Sequence, residues 1–118
     1  MPELLSIRPN LEVADLEPSI EHLVTVFGFE VEVLEDEMGL ALLRQGAVGL
    51  AIVRTPHPAV NETTAVYVTV TEVEALHETS VDRGATVVNP LTDHPWGLRD
   101  FVVEIPGGHR LAFGERIP

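Results

Sequence analysis

Five histidines, His22, His57, His77, His94 and His109, are the residues of this chain most suited to metal ligation or general acid–base work. Their spacing gives neither in a usual form. No two stand four apart, as a zinc-binding pair on one helix face would. His22 and His77 fall at helical positions expected to face solvent, His57 and His94 fall in loops, and His109 follows a turn. Ser6, Ser19 and Ser80 have no nucleophile elbow around them, and there is no cysteine. Glu12 and Glu104 are possible carboxylate bases, but a carboxylate works as a base near neutrality only where burial raises its pKa. The remaining groups are of the binding kind: Arg8, Asn10 and Arg99 for polar edges, and Tyr67 and the single Trp96 for stacking.

The charge balance narrows the choice of partner. Nineteen acidic residues against seven basic ones give a formal charge of −12 over 118 residues. A field of that sign repels nucleic acid and draws in cationic small molecules. The acids are dispersed rather than gathered in a tail, so they belong to a folded surface. The length suits one domain with one modest core. No stretch has the length and apolarity of a membrane span or a signal peptide, and the lack of cysteine suits a reducing compartment. A cytoplasmic protein without nucleic-acid or membrane partners is expected.

Period-2 alternation of Ile7, Leu11 and Val13 against Arg8, Asn10 and Glu12 predicts a strand over 6–13. Asp15 stands where it can cap a helix over 16–27, which carries Leu16, Ile20, Leu23, Val24 and Phe27 on one face and stops at Gly28. Strands are expected over 29–34, 40–43 and 48–53, with turns at Asp36–Gly39 and Gln45-Gly46. After a linker over 56–63 the order repeats. A strand over 65–70 leads into Thr71-Glu-Val-Glu74, a capping box for a helix that buries Val73, Leu76 and Ser80 and ends at Gly84. A strand over 85–88 follows, then a turn at Asn89-Pro90, then a hairpin. In the hairpin Phe101, Val103 and Ile105 alternate up to Pro106-Gly107-Gly108, and Leu111 and Phe113 alternate after it. Val13-Ala-Asp15-Leu16 corresponds to Val70-Thr-Glu72-Val73, and Phe27-Gly-Phe-Glu-Val31 to Arg83-Gly-Ala-Thr-Val87. The expectation is an α+β single domain, 1–118, built as two βαβββ modules, 1–55 and 64–118, each a four-stranded sheet with a helix on one face and the other face free to line a cavity.

With these pieces in order, the chain resembles the vicinal oxygen chelate superfamily of glyoxalase I, extradiol dioxygenases and bleomycin-resistance proteins. The resemblance is carried by Pro9–Asp15 with Ser19, Phe27–Val31, Arg83–Val87, Pro95–Arg99 and Pro106–Glu115. Ile105 and Gly107 stand where the family's hairpin motif commonly has acids, so the turn is kept without them. Metal-dependent members place His or Gln, an acid, His and Glu on four strands. Carried over one by one, those positions fall on Arg8, Ala51, Ala65 and Ala112. Alanine has no donor atom and Arg8 brings a permanent cation, so no metal or other cofactor is expected. Slipping the register by one reaches Ile7, Pro9, Leu50, Ile52, Val66, Leu111 or Phe113, with the same result.

The resemblance implies a metal-free member that binds a drug or natural product, aromatic or cationic, in an apolar groove at a homodimer interface, conferring resistance by sequestration. The ligand-binding set expected on the open sheet face is Arg8, Asn10, Glu12, Tyr67, Trp96, Arg99, Glu104 and Ala112, with no catalytic residue. The other reading is an enzyme of the same superfamily, an isomerase, lyase or dioxygenase-like protein, with displaced metal ligands or a base such as Glu12, Glu104 or a loop histidine.

Overall fold

The computed structural model describes residues 1–61 and 63–118; Glu62, in the linker expected over 56–63, lies outside the described residues. The chain runs β1 (Asn10–Val13), α1 (Leu16–Phe27), β2 (Glu30–Glu35), β3 (Leu40–Gln45) and β4 (Val48–Arg54). It then repeats as β5 (Thr64–Thr69), α2 (Val73–Asp82), β6 (Thr86–Asp93), β7 (Leu98–Glu104) and β8 (Arg110–Arg116). Two mixed four-stranded sheets result, in the orders β1-β4-β3-β2 and β5-β8-β7-β6. In each, the first strand lies parallel to the last, and the hairpins supply the antiparallel pairs. The fold is the expected α+β pair of βαβββ units. Among the described residues no helix is long and apolar enough to cross a membrane.

Each sheet buries the face that alternation marks out. Leu11 and Val13, Ala41 and Leu43, and Leu50 and Ile52 lie under α1, while Phe101, Val103, Leu111 and Phe113 line the second sheet. These residues form one cluster rather than two. Phe27 of α1 stacks on Phe113 of β8 with ring centroids 5.1 Å apart, and Phe113 touches Phe101. The turn between β7 and β8 reaches the first unit directly: Ser19 Oγ donates to the Pro106 carbonyl at 2.7 Å, and the His109 ring, through Nε2, bonds the Glu12 carbonyl at 2.6 Å.

Four expectations about strand ends, caps and turns are corrected. The first strand begins at Asn10, not Ser6, and Ile7 is exposed in an extended arm. Asp15 holds the N-cap position with extended dihedrals but its side chain makes no capping bond. Pro18, the third helical residue, has no amide hydrogen, which removes one of the two donors a cap can take and leaves only that of Glu17. The capping box of α2 is also not used. Glu72 sits at the N-cap with φ of 53°, and the Glu115 carboxylate, from β8, accepts from the amides of Glu72 (3.0 Å) and Val73 (3.2 Å). A carboxylate at a helix N-terminus outcompetes a hydroxyl because charge assistance and the helix dipole act together. Finally, Asn89-Pro90 does not reverse the chain. β6 continues through it with two register shifts, and as an edge strand it tolerates a proline that cannot donate.

His22 and His77 are part-buried rather than solvent-facing. Each presents its ring edge-on to a core phenylalanine, Phe27 and Phe101 respectively, and burial lowers the pKa of His22.

Glu115 makes a testable strut. Replacing it with Ala removes both caps from α2 and is expected to cost about 1–2 kcal/mol. The thermal midpoint should fall by about 3–10 °C, read by calorimetry. Glu74→Ala, which leaves the caps intact, is expected to shift it by less.

Candidate functional site

The faces turned away from the core are built by the strand register. In the second sheet Tyr67 pairs with Ala112, Ala112 with Val102, and Gly114 with Asp100. Gly114 lacks the atom that would block the phenol: a Cβ there would sit 1.8 Å from the Tyr67 hydroxyl. The ring therefore crosses β8 and its hydroxyl donates to Asp100 Oδ2 at 3.0 Å. The other oxygen, Oδ1, holds His94 Nε2 at 2.7 Å. The imidazole lies flat on Trp96, with centroids 4.5 Å apart and planes 7° from parallel.

The Asp100 side chain is 14% exposed, Tyr67 45% and Trp96 67%. A shielded carboxylate thus holds a phenol and an imidazole, and the imidazole carries an outward-facing indole. Loss of water around the phenol, then the hydrogen bond and charge of Asp100, push the Tyr67 pKa up to about 12. The Trp96 turn is fixed by main chain: Gly97 N–H donates to the His94 carbonyl, His94 N–H to Leu98, and Ile117 N–H to Gly97.

Arg8 crosses the first sheet in a similar way. It lies over Gly49, where a Cβ would meet its Cζ at 3.2 Å. Nη1 donates to the carbonyls of Leu43 (3.1 Å) and Leu50 (3.3 Å), and Nη2 to Glu32 at 3.1 Å. Arg44 binds the second Glu32 oxygen at 3.2 Å, and these two cations lower the Glu32 pKa. Most of the Arg8 donor fork is thus committed to the protein itself.

The other expected residues are dispersed. Glu12 spends its carboxylate on the Ala59 amide at 3.0 Å, and Glu104 stands 3.8 Å from Arg110. Asn10 is exposed at the start of β1, and Ala112 is buried between Tyr67 and Val102. Arg99 shares the parity of Phe101 and points to the helix side. There it grips both oxygens of Asp93 at 2.6 and 3.0 Å and also binds Glu74 of α2, which lowers the Asp93 pKa and raises its own. The structure therefore brings Tyr67, Ala112 and Trp96 into one neighbourhood and leaves Arg99 outside it. Asp100 and His94 were missed as members. The available signal was the parity of Asp100 with Val102 and Glu104 on an open strand face, beside a histidine six residues earlier.

Arg8, Ala51, Ala65 and Ala112, the positions of the superfamily's metal ligands, supply no donor atom for a divalent ion, so the residues present do not fit that group. Among the described residues no three His, Asp or Glu side chains cluster as a metal site elsewhere. Between the β1–β4 edge and β5 runs a cavity of about 190 Å³, lined by Pro9, Gly49, Tyr67 and Thr69 among others. Drug-sized sites measure roughly 300–1,000 Å³, so one chain does not enclose such a ligand there.

The model of the Glyoxalase/Bleomycin resistance protein/Dioxygenase superfamily matches residues 7–113. Among solved structures, TioX from Micromonospora sp. ML1 is 29% identical with a TM-score of 0.81, over 96% of this chain and 99% of that one. The bleomycin-binding protein of bleomycin-producing Streptomyces verticillus, complexed with copper(II)-bleomycin, is 26% identical with a TM-score of 0.78, over 96% and 97%. An uncharacterised protein of Mycobacterium tuberculosis is 40% identical over 52 residues, 44% of this chain and 31% of that relative, so the match spans about a third of the relative's length.

Proposed function

This chain belongs to the Glyoxalase/Bleomycin resistance protein/Dioxygenase superfamily, and from that premise we propose that it is a metal-independent binding protein. Its ligand is a small aromatic or cationic natural product, held without turnover, and sequestration protects the cell that makes the protein. The observation that carries this reading is the Tyr67–Asp100–His94–Trp96 assembly. It presents two aromatic surfaces over a shielded carboxylate, in a chain whose metal-ligand positions hold Arg8 and three alanines. A flat ligand stacks on Trp96 and Tyr67 while the local negative charge favours a cationic one. The relative from Streptomyces verticillus, complexed with copper(II)-bleomycin, supports the same class of ligand.

A second copy of the chain completes the groove. The single-chain cavity beside Tyr67 is too small for such a ligand, and the arm before β1 exposes Leu4, Leu5 and Ile7 almost fully. Apolar side chains in a row on an extended segment are covered in solution by another surface. The protein is accordingly a homodimer in the cytoplasm, with no role in nucleic-acid binding.

Titration with metal-free bleomycin and with planar polyketides, followed by calorimetry and by emission of the single Trp, tests the reading. Saturable heat with a parallel change in Trp96 emission is expected, and Trp96→Ala should weaken binding by about three- to tenfold. Saturation with unchanged emission would remove Trp96 from the site, and an absence of heat across the panel would sink the binding function.

The enzymatic reading keeps one specific support. Asp100 fixes His94 through Nε2 and leaves Nδ1 as the free nitrogen of an oriented imidazole, the arrangement a general base needs. Release of a chemically altered ligand after incubation, abolished by His94→Gln, would favour it over sequestration.

A further inference from the structure

A separate cavity of about 640 Å³ opens between α1 and β2, on the helix side of the first sheet. Its apolar wall is a stripe one helical turn apart, Leu16, Ile20 and Val24, faced by Leu34 from β2. A second stripe, Glu17 and Glu21, runs beside the first, and Asp36 closes the far rim. No Lys or Arg lines the cavity; Arg54, which is not among the lining residues, is held on Asp36 through the backbone carbonyl at 2.7 Å and, in an exposed pair, the carboxylate at 3.5 Å. β2 is an outer strand with all six residues exposed, so the fold itself leaves the groove uncovered.

We propose that this groove is a second binding site, for a small organic cation with an apolar body and a protonated amine at one end. The apolar stripe takes the body and Glu17 and Glu21 take the amine, a pairing strengthened by the −12 charge of the whole chain. The volume falls in the range of drug-sized ligands. A peptide helix is a poor occupant, because each turn fills about 400 Å³ and the cavity holds less than two. A second copy of this chain is disfavoured, because it would set acids against Glu17, Glu21 and the Glu30, Glu32 and Glu35 carboxylates of β2. The site shares no residue with the Tyr67–Trp96 assembly, so it stands or falls independently of it.

Methyl-resolved NMR titration of the full chain with octylamine, octan-1-ol and octanoate tests the proposal. Octylamine should shift the methyl signals of Leu16, Ile20, Val24 and Leu34 saturably, about three- to fivefold more tightly than the alcohol, and octanoate should not bind. The Glu17→Gln/Glu21→Gln pair alters exposed positions and should reduce octylamine to the level of the alcohol with the remaining spectrum unchanged. Equal affinity for all three probes, or shifts centred on Trp96 instead, would overturn the site. So would methyl shifts that depend on protein concentration alone, since a second copy would then be the occupant.

Discussion

Alkaline titration of the phenol absorbance should show the single tyrosine ionising near pH 12, and Asp100→Asn should bring it back toward 10. Two units are a hundredfold change in ionisation constant, and with one Tyr in the chain the spectrum has no competing signal. Burial is the first cause of the shift, so part of it remains in the variant; the bond to Asp100 and its charge account for the part that goes. Linkage fixes the accompanying stability change. The folded state holds its phenolic proton to higher pH than the unfolded state, so the contribution is fully present below about pH 10 and is lost as pH rises toward 12. Chemical denaturation at a series of pH values should show that loss in the parent protein and a weaker one in Asp100→Asn. A phenol that titrates at 10 in both would mean that Tyr67 does not rest on Asp100 in solution. Gly114→Ala provides an independent check, since its methyl must push the hydroxyl off Asp100.

Gly107→Ala should be strongly destabilising, at about 2–4 kcal/mol. Two causes act together. Its φ of 103° lies where an L side chain is strained, and the new Cβ would approach Val13 Cγ1 to 2.7 Å. The turn cannot yield outward without breaking the bond from Ser19 to the Pro106 carbonyl. Gly46→Ala in the corresponding turn of the first sheet separates these causes: its φ is 59° and nothing lies within 4 Å. About 1 kcal/mol is expected there, from backbone conformation alone. Equal losses in the two variants, measured by urea unfolding, would show that the Val13 contact contributes nothing.

Much of the architecture was legible because period and punctuation agreed. Helix α1 runs from Leu16 to Phe27 as its apolar spacing requires, and Gly28 ends it in the left-handed conformation with φ of 74°. The β7–β8 turn falls on Pro106-Gly107-Gly108 for the same kind of reason. What stayed hidden depends on distant partners. The α2 cap comes from Glu115, which is more than forty residues from the amides it binds. A local capping motif cannot announce such a competitor. The site was legible in its aromatic members but not in its logic. Tyr67 meets Asp100 only because β5, β8 and β7 align at Gly114, and a missing Cβ carries no signal until its neighbours are known. Arg99 was misplaced because its parity with Phe101 aims it at α2, although it is the nearest cation to Trp96 in sequence.

The contacts that join the two sheets also set an order of events during synthesis. Ser19 and Glu12 bond to residues 87 and 97 positions further on, and Phe27 stacks on Phe113. The first four strands and α1 therefore emerge from the ribosome with the side that meets the second sheet, including Ser19 and Phe27, still uncovered. At about 5–20 residues per second, several seconds pass before β8 arrives to cover it. The contacts of Ser19, Glu12 and Phe27 with the second half cannot form in that interval, so the last part of the core closes only after residue 113 is free. Ribosome-stalled chains cut back to the end of β7 should accordingly be protease-sensitive along α1, far from the missing strand.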